Sequence, residues 1–224
     1  VDDKASNAIE KKQYVVESNT VTIKAGERVA KFRMKGIYEN IDKTDSLSVT
    51  FNLLAKDENV WDLYGTRTRV QMQKACPFEL STFEGYCLLT SSFFSAYMTN
   101  TEHRLLQAER DKTEDNTIIL HDFFYKNYDL KIKYDPSDPL KPFVEFDDQI
   151  IGSTAEAFGT IYGNGKLMCT QPVAYDSYYN VCQKFVFLYS TIYVVGKGTV
   201  GTYVNILEWI SDEEAEQYKK EEGL

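Results

Sequence analysis

The chain has 224 residues, 43% of them hydrophobic, and a net charge of -9 from 25 basic and 34 acidic side chains. Such a length and composition bound it to one or two globular domains with a real core. The acidic balance repels a phosphate backbone, which argues against nucleic-acid binding. No apolar run reaches the ~18 residues that a membrane-spanning helix needs.

Residues 1–17 (VDDKASNAIEKKQYVVE) are polar and unpatterned at their start, and read as a flexible leader. If a targeting segment ever preceded them, it was removed before this numbering begins. Residues 18–76 alternate apolar and polar side chains. Val21 and Ile23 share one face, a turn follows at Ala25–Glu27, and Val29, Phe32 and Met34 suggest a second strand with a bulge. Leu47, Val49, Phe51 and Leu53 share the face of a third strand, and Val70 and Met72 that of a fourth. These predict a small antiparallel sandwich. Pro77 cannot sit inside a central ladder, so a domain boundary is placed near residue 76.

Residues 77–210 hold a series of strand-length apolar segments, from GYCLLTSSFFSAYM to TVGTYVNILEWI, separated by Asn-, Asp-, Pro- or Gly-bearing turns. No helix is expected between them, and the series predicts an antiparallel meander barrel. Residues 211–224 predict a short, largely solvated helix. Ser211 and Glu214 match a capping box, acids fill the first turn, and Lys219 and Lys220 lie near its end.

EAFGTIYGNGKLMC, residues 156–169, resembles a phosphate-binding loop at first sight, because Gly159, Gly163 and Gly165 run into Lys166. The spacing fails, however, and Leu167 stands where a magnesium-binding hydroxyl is needed. The reading is instead a hairpin: AFGTIY as one strand, a turn at positive φ, and KLMCT as the return strand.

Few residues point to chemistry. His121 and Asp122 are neighbours on an expected strand and so face opposite ways. His103 and His121 read as surface histidines, and no GxSxG elbow occurs. Asp135, Asp138, Asp147 and Asp148 offer a glycosidase acid pair or a calcium site, but match no spacing rule and read as solvated turn acids. No cofactor loop is present, and the four cysteines and two histidines lack metal-site spacing. The cysteines are either buried thiols or two disulfides. If they pair, the expected partners are Cys76 with Cys87 and Cys169 with Cys182.

Sixteen tyrosines and 13 phenylalanines stand out. Tyr175, Tyr178 and Tyr179 concentrate in VAYDSYYNVC, which reads as an exposed strand connection. Tyrosines there suit stacking on a sugar ring or anchoring of a protein partner; the other reading is that they cover the open end of the barrel.

The segments KACPFELSTFEGYCLLTSSFF, NTIILHDFFYKNYDLKIKYDP, AEAFGTIYGNGKLM and GTYVNILEWISDEE resemble a family of secreted, lipid-anchored proteins of unknown function from gut Bacteroidetes. The resemblance implies export, attachment at the outer membrane, an immunoglobulin-like N-terminal domain and a lipocalin-like C-terminal barrel. It brings no catalytic residues, and the anchoring cysteine of that family is not in this chain.

The sequence thus predicts an all-β protein that acts as a non-enzymatic cell-surface or periplasmic binder of a glycan or protein partner, without cofactor. Alternatives are a lipocalin-like carrier of a small apolar ligand and a structural or adhesive subunit. The barrel interior separates these: if Phe94, Ile119, Phe146, Phe187 and their neighbours fill it, a carrier is ruled out, and if it holds an empty apolar cavity of the size of a ligand pocket, the carrier reading wins.

Overall fold

The computed structural model describes residues 1–43, 45–55, 65–98, 100–139 and 141–222. They fall into two compact units, Val1–Ala75 and Cys76–Leu224.

The first unit contains two small antiparallel pairs. Strand β1 (Tyr14–Val16) pairs with β2 (Met34–Gly36), and β3 (Leu47–Asn52) with β4 (Arg67–Met72). Residues 1–17 are not a free leader. Asp2 N–H donates to the Thr50 carbonyl at 2.9 Å, Asn7 N–H to the Ser48 carbonyl at 3.0 Å, and Tyr14 is buried. Ser6 Oγ and Asn7 Oδ1 in turn accept from the Thr50 and Ser48 amides. Polar side chains here take the place of a partner strand on the edge of β3, which composition alone reads as solvation. The strands expected around Val21 and Val29 do not form a ladder; only Met34–Gly36 of that segment is a strand.

The second unit is an antiparallel barrel. Its strands are β5 (Gly85–Ser91), β6 (His103–Arg110), β7 (Thr117–Leu120), β8 (Leu130–Asp135), β9 (Phe143–Glu145), β10 (Gln149–Ser153), β11 (Lys166–Thr170), β12 (Ser177–Asn180), β13 (Phe185–Val194) and β14 (Gly198–Trp209). Eight of them close the ring in the order β5-β6-β7-β8-β9-β12-β13-β14, with β14 pairing back onto β5. The β10–β11 hairpin is added beside β13. Alternation places the core: on β13, Val186, Leu188, Ser190, Ile192 and Val194 point inward and are buried, while the intervening residues face out.

The interior is filled by side chains. At one end Phe83 stacks on Tyr134, with ring centroids 4.5 Å apart, and meets Trp209 edge-on at 5.1 Å. At the other, Phe93 stacks on Phe124 at 4.7 Å and Phe124 on Phe123 at 4.4 Å. Of the four residues that decide between a filled and a hollow interior, Phe94 and Phe146 are buried in the core, whereas Ile119 and Phe187 lie half-buried on the outer face of their strands. One polar network sits inside: Asn205 donates to Ser190 Oγ (2.8 Å) and the Leu188 carbonyl (3.0 Å) and accepts from Ser91 Oγ (2.6 Å). Its groups are thereby satisfied without water.

Two single-turn helices, not expected between the strands, interrupt the meander. Helix α1 (Ser92–Tyr97) is capped by Ser91 and carries Phe93 and Phe94 into the core. Helix α2 (Thr154–Phe158) has a capping box, Ser153 with Glu156, and ends at Gly159 in the left-handed region. AFGTIY is therefore not a strand. KLMCT is the return strand, but its partner is Gln149–Ser153. Gly163 and Gly165 have positive φ, and at Gly163 a Cβ would lie 2.7 Å from the Val195 carbonyl oxygen. These glycines shape a tight turn with no helix after it to carry a phosphate. Helix α3 (Asp212–Glu222) has the expected Ser211–Glu214 capping box. It buries only Ala215, and Lys219 lies 4.2 Å from the centre of the Tyr86 ring.

The disulfide differs from either expected pair. Cys76 bonds to Cys182, and Cys87 and Cys169 are buried thiols. Cys87 and Cys169 point inward from their strands, where spacing along the chain says nothing about a partner.

Candidate functional site

The barrel wall branches. The first half of β13 pairs with β12 at Phe185–Phe187, and the second half with β11 at Thr191–Tyr193. Across the ring, β9 pairs with β8 at Lys133–Asp135. Where β9 has ended, Gln149 of β10 takes over: its side chain accepts from the Lys131 N–H and donates to the Lys131 carbonyl, both at 2.8 Å. The gap between the two branches is bounded by β8, the connection 146–148 and the connection 171–176.

This fork forms an open groove of about 530 Å³. Lys131, Lys133, Glu145, Asp147, Gln149 and Gln171 line it over a floor that includes Ile132 and Phe146. Gln171 Oε1 accepts from the Phe146 N–H, which ties one rim to the other. Lys131 is paired with Asp111 and lies 3.8 Å from Glu114. That lysine, with Thr113, holds the Asp111 carboxyl well below the usual carboxylate range. By contrast, the side chains of Lys133, Glu145 and Asp147 make no hydrogen bond or ion pair among the described residues. The groove therefore presents one cation, two carboxylates and the Gln171 amide with capacity to spare for a polar ligand.

The connection that brings Gln171 to the groove also carries an aromatic pair. The same 171–176 connection lays Tyr175 on Tyr189 of β13, with centroids 5.0 Å apart. Ser177 Oγ accepts from the Tyr189 N–H at 3.0 Å and fixes the level of the connection. Farther along the outer face, Tyr178 stacks on its cross-strand partner Phe187 at 5.4 Å. Tyr175 is 52% exposed and Tyr178 40%, but Tyr179 is 3% exposed and packs against Phe83 and Tyr134.

The three tyrosines are thus not a common loop surface. Ser177–Asn180 is a strand, and on a strand neighbours face opposite ways, so Tyr179 enters the core. Tyr189 and Phe187 replace it as outer-face companions. The alternation in KFVFLYSTIYVV carries that signal, since Phe185, Phe187, Tyr189 and Tyr193 fall on one face and Val, Leu, Ser and Ile on the other.

Other sequence candidates are dispersed. Asp135 is lowered by the Ser137 side chain and by the Ser137 N–H, which donates to it in a turn. Asp148, lowered by Thr170 and Tyr193, accepts from the Tyr193 hydroxyl at 2.6 Å. Only Asp147 of the four aspartates lines the groove. His121 and Asp122 are not on a strand: β7 ends at Leu120, and Asp122 has φ +54°. His121 sits between Asp129 (3.0 Å) and Glu109 (3.4 Å), and His103 is bonded to Thr90. Burial pushes the Cys169 thiol up to about 12 and Cys87 well above its usual value, so neither is a ready nucleophile. Among the described residues no group of three His, Cys, Asp or Glu is placed to hold a metal ion, and no helix is long and apolar enough to cross a membrane.

A family model described as "Domain of unknown function (DUF4984)" matches residues 63–221. The chain belongs to this family. The matched stretch contains every strand of the barrel and the branch in its wall, so the groove lies within the matched residues. No curated protein and no solved structure matched the chain.

Proposed function

We propose that this barrel is a non-catalytic binding domain of an exported, surface-displayed or periplasmic protein, and that it holds a glycan at the branch of its wall. The observation that carries the reading is the pairing of an open aromatic face, Tyr175 on Tyr189, with a polar groove on the same connection. A sugar ring has an apolar face and a rim of hydroxyls. Tyr175 supports the first, and Lys133, Glu145, Asp147 and Gln171 hydrogen-bond the second. The carrier reading has less support, because aromatic side chains occupy the barrel interior. The Cys76–Cys182 bond favours an oxidising compartment, in keeping with export. Attachment by a lipid rests on the family resemblance.

The test is a glycan array probed with the full chain, followed by titration of any hit against Tyr175→Ala, Tyr189→Ala and Glu145→Gln. Binding lost in all three, with thermal melting of Tyr175→Ala unchanged, is the expected result. A silent array overturns the glycan reading and moves the weight to a protein partner. Turnover of chromogenic glycosides that disappears in Asp135→Asn or Asp147→Asn overturns the non-catalytic one.

A further inference from the structure

Residues 17–33 of the first unit form a hairpin arm that does not close on itself. Its base is the β1–β2 pair and the bond from Glu17 N–H to the Arg33 carbonyl (3.2 Å). Its tip is the turn from Lys24 to Glu27, with Gly26 at φ +87°. Between base and tip no backbone hydrogen bond joins the two limbs. The limbs instead line an open groove of about 570 Å³, with Glu17, Thr20 and Val21 on one side and Glu27, Val29, Lys31, Phe32 and Arg33 on the other. Ile23 is 58% exposed and Val29 70%. Two rows of backbone amides and carbonyls and an alternating apolar pattern thus stand without a ladder, which is the condition of a sheet edge open to another strand.

The charge of the arm selects its partner. In the groove itself Lys31 and Arg33 balance Glu17 and Glu27, and around it Lys24, Arg28 and Lys35 make residues 17–36 basic, within a chain whose net charge is -9. We infer that the groove between the limbs takes up an extended, acidic segment of another polypeptide, which adds as a strand. Main-chain bonds to the limbs give the affinity. Alternate apolar side chains meet Val21 and Val29, and carboxylates meet the basic residues. A small anion uses only the charges and leaves the apolar row and the backbone groups unmatched.

The experiment uses the full chain and two amidated peptides, EVTVEVTVE and KVTVKVTVK, each labelled with fluorescein. Anisotropy is expected to show binding of the acidic peptide alone, weakening as salt is raised. Val21→Asp, and separately Lys31→Glu with Arg33→Glu, each weaken it about tenfold or more. Hydrogen exchange separates this from a closed arm. Amides 19–23 and 28–32 exchange fast in the free chain and slow when the acidic peptide is added. Protection already present without peptide, equal binding of both peptides, or equal binding of an oligothymidine overturns the inference. None of these readouts depends on the glycan reading of the barrel.

Discussion

Gln149 completes the barrel wall against Lys131, its side-chain amide pairing with both backbone groups on the edge of that residue that faces away from its β7 partner Ile119. The amide has the donor and acceptor of a peptide group, so it substitutes for one residue of a missing strand. Gln149→Leu keeps the volume and removes both bonds. It is expected to lower stability by about 1–3 kcal/mol, the range for leaving part-buried polar groups unmatched. Urea denaturation checks this, and an unchanged midpoint shows that water serves the seam equally well.

Cys76 and Cys182 close a loop with a sequence separation of 106 residues. In the chain-entropy model a loop of that size contributes about 4–5 kcal/mol. Cys76→Ser with Cys182→Ser should therefore lower the melting temperature markedly. Thiol counting in denaturant without reductant should give two reactive groups, Cys87 and Cys169, and four after reduction. Four before reduction sinks the assignment.

Asp111 gives the second unit a pH dependence with a definite sign. Its folded carboxyl is depressed by Lys131 and Thr113 below the ordinary value near 3.9. The stability it contributes is full above that ordinary value and is lost as pH falls below it toward the folded value. Lys131 is raised by the same contact, so its share is full below the usual lysine range and is lost as pH rises through its folded value. The stability difference between the protein and Asp111→Asn should stay level from about pH 5 to 9 and shrink below about pH 4. A difference that stays constant down to pH 2 contradicts the ion pair.

Tyr175 and Tyr179 should part company on mutation. Tyr179→Ala opens the aromatic stack beneath Phe83 and is expected to cost about 3–5 kcal/mol, the range for truncating a large buried aromatic. Tyr175→Ala removes an exposed ring and should stay within about 0.5 kcal/mol. Denaturation of the two variants side by side reads this, and equal effects contradict the placement of either ring.

Elements whose signal is local are legible along the chain. Period-two alternation identifies β8, β13 and β14, and Ser211 with Glu214 identifies the start of α3, because each signal lies within a few residues of what it specifies. The same logic assigns the glycine run to a turn. Short helices escaped it: α1 and α2 span six and five residues, too few for a helical period to outweigh strand-like composition. The remaining features rest on contacts between residues far apart in the chain. The partner of Cys76 depends on which turn the ring brings beside it, 106 residues away. The ordering of residues 1–17 depends on an open edge of β3 that their polar side chains satisfy. The candidate site exists because β11 and β12 share β13, and a fork in a sheet is a property of pairing, not of any one strand. Hydrogen bonds between strands join residues far apart in the chain, and no spacing rule along one segment encodes which strand will be its neighbour.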